Sequence, residues 1–134
     1  MCGASHRLLI AARGGGRVFN SYLVFFQCPT HVVETGGARF RIEEGTYVYV
    51  GSCGPACLRR VMRHLARPAA RRWHVDYLQC AALYAAVGER PEREVALCLS
   101  ERCPYVEGFG SSDDPHAPSH LFKCGAAEAL RCLA

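Results

Sequence analysis

Gly45-Thr46-Tyr47-Val48-Tyr49-Val50-Gly51-Ser52 sets β-branched and aromatic residues between two glycines. Cys53-Gly54-Pro55 then breaks the pattern before Ala56-Cys57-Leu58-Arg59-Arg60-Val61-Met62-Arg63-His64-Leu65-Ala66-Arg67. The first stretch has the composition of a strand, and the second predicts a helix over 56–67, ended by Pro68. Leu58, Val61, Met62 and Leu65 recur at i, i+3, i+4 and i+7 and predict its buried stripe. Arg60, Arg63, His64 and Arg67 repeat that spacing on the opposite side. Three guanidiniums and an imidazole on adjacent turns can converge on one anion.

Outward from this unit the punctuation is clear. Ser21 to Gln27 reads as a strand, and His31 to Glu34 and Arg39 to Ile42 flank Thr35-Gly36-Gly37, a hairpin signal in which glycine supplies positive φ. Trp73 to Leu78 reads as a short helix or turn, and Ala81 to Val87 as a strand bounded by Gly88. Pro91 opens a helix over Glu92 to Arg102 with acidic residues near its start. Gly108 to Pro118 is a loop by composition. The expectation is an α+β fold: a small, mostly antiparallel central sheet of about three core strands plus an extra hairpin, flanked by helices.

The 134 residues are half hydrophobic and 21% charged, which suits one soluble domain over 1–134. The apolar runs Tyr22 to Phe26 and Cys80 to Val87 fall short of the roughly 20 residues a membrane span needs. Leu8 to Ala12 is too short for a signal-peptide core, so an intracellular protein without membrane association is expected. The nine cysteines are odd in number, and Cys2, Cys28, Cys80, Cys98, Cys124 and Cys132 stand alone among apolar neighbours, as buried thiols do. One or two disulfides remain compatible with this pattern. The spacings Cys53-x3-Cys57 and Cys98-x4-Cys103 are not those of a zinc ribbon or finger.

Charge is unevenly placed. No carboxylate lies between Gly45 and Val75, while Arg59, Arg60, Arg63, Arg67, Arg71 and Arg72 place six of the sixteen basic residues within fourteen positions. Such a patch suits a polyanionic partner, or is simply the solvated face of a helix.

Five blocks in order resemble the GIY-YIG endonucleases. Ser21-Tyr22-Leu23 and Tyr49-Val50-Gly51-Ser52 are similar to the two strands that name the family, and Arg60-x-x-Arg63-His64 to its arginine-bearing helix. Trp73-His74-Val75-Asp76-Tyr77-Leu78, and Gly108-Phe109-Gly110-Ser111-Ser112-Asp113 followed by Ser119-His120-Leu121-Phe122, are similar to a small branch also found fused to endonuclease III-type repair enzymes. The resemblance covers about 20–123. Ser21 departs from the family by replacing a glycine, as does the Cys53 to Cys57 loop by differing from the usual glycine-rich version. An extra hairpin separates the two strands, which is usual for this branch.

The resemblance implies a metal-dependent endonuclease acting on DNA, in repair or foreign-DNA processing, with association with DNA repair glycosylases as a further implied partnership. The alternative of the same fold is a catalytically reduced nucleic-acid-binding module. A third reading, from the cysteines, is a redox or metal-sensing protein. The residues implied for catalysis are Tyr22, Tyr49, Arg60, His64 and Glu94, with Arg59, Arg63, Arg67, Arg71 and Arg72 on nucleic acid. Arg60 is preferred to Arg59 as the catalytic arginine because it lies four positions before His64. Glu94 would hold Mg²⁺ or Mn²⁺, a single carboxylate suiting a cation that keeps most of its waters. A tyrosine titrates near ~10 and would need its phenolate favoured by a cation such as Arg60, while His64, near ~6.5, would accept the proton directly or through tyrosine. His74 and Asp76 form either a buried His to Asp hydrogen bond or a substrate contact, and Ser112, Asp113 and His120 a rim of the site.

Overall fold

Strand-forming residues fill Ser21–Cys28 and Gly45–Ser52, and the computed structural model pairs them antiparallel along their whole length, Ser21 opposite Ser52 and Cys28 opposite Gly45. The structure describes residues 7–11 (backbone only), 19–67, 71, 73–110 and 117–134. In chain order its strands and helices are β1 (Arg7–Ala11), β2 (Ser21–Cys28), β3 (His31–Thr35), β4 (Ala38–Ile42), β5 (Gly45–Ser52), α1 (Cys57–Ala66), a 3-10 turn at His74–Tyr77, β6 (Ala81–Gly88), α2 (Glu92–Arg102), β7 (Leu121–Lys123) and α3 (Ala126–Leu133).

Five strands form one sheet in the order β1-β6-β2-β5-β7. β1 runs parallel to β6, and every other neighbour is antiparallel. β3 and β4 form a separate hairpin whose turn glycines, Gly36 and Gly37, have φ of 48° and 88°, the left-handed values a two-residue turn demands. The fold is α+β, as expected. No described helix is long and apolar enough to cross a membrane.

β2 is covered on both faces. Tyr22, Val24 and Phe26 join the core beneath α1 and the 3-10 turn, while Leu23 and Phe25 join the core beneath α2 and α3. This alternation places both tyrosines, Tyr22 and Tyr49, on the α1 side.

Three expectations need correction. The buried face of α1 is Cys57, Val61, His64 and Leu65, whereas Leu58 and Met62 are 49% and 54% exposed. The helix is rotated because His64 finds buried partners in the sheet and the 3-10 turn, so an imidazole takes the place predicted for two apolar side chains. The cysteines are not free thiols either. Cys28–Cys80, Cys53–Cys57, Cys98–Cys132 and Cys103–Cys124 are disulfides, and Cys2 lies outside the described residues. An apolar neighbourhood suits a half-cystine as well as a thiol, so the local pattern could not separate them. Third, β1, β7 and α3 extend the sheet and helix layer beyond the elements predicted. β1 falls on the apolar patch around Leu8, and three residues of β7 are too few to show a period.

Candidate active site

Where β2 and β5 end beside α1, a pocket of about 230 Å³ is lined by Tyr22, Tyr49, Gly51, Ser52, Arg60, Trp73, Glu92, Gly110 and His120. A larger cleft of about 620 Å³ beside Cys53–Arg59 holds no carboxylate or imidazole among its lining residues, whereas the smaller pocket is lined by both.

Strand pairing puts Tyr22 opposite Gly51 and Val24 opposite Tyr49, so the two tyrosines are diagonal neighbours on one face. Glycine is required at 51, since a Cβ there would fall inside the Tyr22 ring. Arg60 stands on the exposed side of α1, its Nη1 donating to Ser52 O at 3.2 Å, which turns the guanidinium toward the pocket rim.

One turn later His64 is buried beneath Tyr22, with Tyr22 Oη 3.0 Å from its Nε2. Its ring also meets Tyr49 and Trp73 edge-on at centroid distances of 5.9 and 5.4 Å. The 3-10 turn brings Asp76 to the far side of the imidazole, Oδ1 lying 3.8 Å from Nδ1. Arg63 Nη1 donates to both Asp76 oxygens at 3.0 and 2.9 Å, and the Trp73 backbone N–H donates to Oδ2 at 3.0 Å.

Burial governs the titration of these groups. It pushes the Tyr22 hydroxyl far up, Tyr49, Glu92 and Asp76 adding to the effect and Arg60 opposing it only in part. Tyr49 moves up for the same reason, with Glu92 and Asp76 contributing. A phenolate favoured by Arg60 is therefore not what this site provides. His64 is pushed down from 6.5 to about 4, first by burial and then by Arg63, Arg67 and Arg60, with Asp76 pulling the other way. At neutral pH it is an uncharged imidazole, able to accept a proton.

On the opposite wall Glu92 Oε1 is 3.7 Å from His120 Nε2. His120 is held by its backbone, which accepts from Val50 N–H and donates to Phe109 O, both at 2.9 Å.

Residues 21–134 match the model of the family described as Domain of unknown function DUF123. The chain belongs to the DUF123 family. No curated protein and no solved structure matches it. The DUF123 match begins at the first residue of β2 and spans every residue that lines the pocket.

Within this DUF123 fold the predicted site residues divide. Tyr22, Tyr49, Arg60 and His120 line the pocket and His64 backs it. Glu94 does not reach it: its side chain is 56% exposed and faces Arg90 at 3.7 Å. The pocket carboxylate is Glu92, which shares a helical face with the buried Val95, Ala96 and Leu99 at i+3, i+4 and i+7. That spacing was a readable signal. Arg63 is engaged by Asp76 and lies over the Trp73 ring at 4.8 Å. Arg67 donates to Val75 O at 3.2 Å and to Leu78 O, and covers the Phe26 ring at 5.1 Å. Both therefore brace the 3-10 turn while staying partly exposed. Arg59 and Arg71 are exposed, Arg71 over the Tyr77 ring. His74 packs against Phe40 and Phe109, and the histidine facing Asp76 is His64. Arg72, Ser112 and Asp113 lie outside the described residues. Trp73, which lines the pocket, was not foreseen.

Proposed function

We propose that this domain is a metal-dependent endonuclease of the GIY-YIG type that hydrolyses DNA phosphodiester bonds, serving DNA repair or foreign-DNA processing inside the cell. The observation that carries the reading is the convergence of Tyr22, Tyr49, Arg60 and Glu92 on one pocket, with a neutral histidine behind the first tyrosine. Phosphodiester hydrolysis needs an oriented water, a proton acceptor and cationic stabilisation of the charge that gathers on the phosphate, and these side chains offer each.

Arg60 binds the scissile phosphate from the rim, its guanidinium matching two phosphate oxygens. Tyr22 and Tyr49 orient the attacking water. Among the described residues no group of three or more His, Cys, Asp or Glu side chains gathers to hold a metal. A carboxylate lining open pocket volume fits a hydrated hard cation, so Glu92 takes the part that the resemblance implied for Glu94. Bound there, Mg²⁺ or Mn²⁺ would supply charge stabilisation to the reacting phosphate.

The test is cleavage of labelled plain, mismatched, flap and abasic duplexes with Mg²⁺ or Mn²⁺. Wild type is expected to cut at least one of them. Glu92→Gln should lose cleavage by about 100-fold or more while keeping DNA affinity, and Glu94→Gln should stay within about twofold of wild type. DNA binding without cleavage in the wild type would replace the proposal with the reduced binding module. Loss of cleavage in Glu94→Gln alone would return the role to that residue.

A further inference from the structure

A carboxylate excluded from water is costly unless charge and hydrogen bonds compensate it, and Asp76, with a fully buried side chain, has both in Arg63 and the Trp73 N–H. Those contacts leave Oδ1 facing an imidazole. His64 Nδ1 has no hydrogen-bond partner among the described residues, and on that side of the ring it faces the Asp76 carboxylate, with Oδ1 3.8 Å away. On the other side Nε2 is 3.0 Å from Tyr22 Oη. A neutral imidazole has one N–H to place. A carboxylate only accepts, so the proton belongs on Nδ1, and Nε2 keeps its lone pair for the Tyr22 hydroxyl.

We propose that Asp76 is a positioning residue that holds His64 in the Nδ1–H tautomer, so that Tyr22 relays a proton from the attacking water to His64 Nε2. The inference rests on the nuclease reading above. One water O–H bond breaks as its proton moves to Tyr22 Oη, and the Tyr22 proton moves to Nε2. The water oxygen's electron pair forms the new P–O bond, and the opposite P–O bond breaks with its pair on the departing oxygen, which takes a proton from solvent. The imidazolium later returns its proton through Tyr22. No phenolate accumulates, which agrees with a burial that opposes charge on Tyr22. The transient imidazolium faces the Asp76 carboxylate, which offsets part of the cost that burial and the three arginines place on its charge.

The groups around the imidazole are Tyr22 from β2, Tyr49 from β5, Asp76 from the 3-10 turn, and Arg60, Arg63 and Arg67 from its own helix. β6, which also packs on α1, contains no charged residue. Among the described residues Asp76 is thus the anion that the ring faces, beside three cations.

The decisive measurement uses the ¹⁵N-labelled full chain, with His64 identified by the loss of its signals in His64→Gln. Two-bond ¹H–¹⁵N spectra at pH 7 should show Nδ1 protonated and Nε2 unprotonated. The opposite tautomer in the wild type overturns the inference without reference to any cleavage assay. Asp76→Asn keeps the shape but turns an amide toward Nδ1, so the proton should move to Nε2. Cleavage at pH 7 should then fall about 100-fold or more and recover as pH rises and hydroxide bypasses the relay. Asp76→Glu, which keeps the acceptor, should restore part of the rate. A folded Asp76→Asn that cleaves within about twofold of wild type, with an unchanged pH profile, overturns the relay. A wild type that cleaves nothing overturns the nuclease reading instead.

Discussion

Under α2 and α3 the sheet meets apolar side chains: Leu23, Phe25, Val48 and Val50 pack against Val95, Ala96, Leu99 and Leu133, and two disulfides, Cys98–Cys132 and Cys103–Cys124, tie that layer together. Under α1 the same strands turn Tyr22 and Tyr49 inward to meet His64, with Asp76 and Arg63 behind it. One face is consistent with the ordinary rules of a core, while the other buries an acid, a base and two hydroxyls. Departures of that kind concentrate where a protein acts rather than where it coheres. Both faces carry an apolar core and two disulfides, and the polar cluster of the proposed site is set into the α1 side alone.

The largest test of that division is the Cys98–Cys132 bridge, which closes a sequence separation of 34 residues. The double variant Cys98→Ala, Cys132→Ala should lower the unfolding free energy by about 4 kcal/mol in denaturant titrations without reductant. Cleavage by the folded fraction should be unchanged. A matching loss of turnover would erase the distinction between the faces.

A smaller effect belongs to the other side. With the folded-state pKa of His64 near 4 and its ordinary value at 6.5, the unfolded chain takes up the proton first as pH falls. Stability from this residue is complete above about 6.5 and is lost as pH drops toward 4, by about 3 kcal/mol in all. Comparing wild type with His64→Gln by thermal unfolding across that window should isolate the slope. If both lose stability in parallel, His64 is not buried in its neutral form.

The smallest effects map the phase of α1. Val61→Ala should cost about 2 kcal/mol, whereas Leu58→Ser and Met62→Ser should stay within about 0.5 kcal/mol. A Leu58→Ser variant less stable than Val61→Ala would restore the helix phase that the apolar spacing alone predicts.

That phase shows where sequence reading stops. The strands at Ser21 and Gly45, the Gly36-Gly37 turn and the helix after Pro91 were legible because period and punctuation are local. The rotation of α1 was not, because both candidate stripes share Val61 and Leu65, and the choice rests on contacts from His64 to residues 42 positions before it and 12 after it. Tyr22, Tyr49, Arg60 and His64 were named from an ordered set of motifs, and the structure brings these four together. Glu92 was passed over for Glu94 although only Glu92 continues the face of Val95, Ala96 and Leu99. The disulfides join residues up to 52 apart, and no short-range pattern encodes such pairs. α3 was a different omission: Ala126–Leu133 is rich in helix formers behind Gly125, so its signal was present locally.

Tyr22 and Gly51 share one volume across two strands, the ring of one occupying the space a side chain of the other would need. Neither position is free to change alone while the pocket keeps its shape. Across the DUF123 family they should therefore drift as a pair, with a side chain at 51 arriving only where the residue at 22 has shrunk or turned away. A glycine that looks like mere strand punctuation is, in evolutionary terms, the partner of a tyrosine.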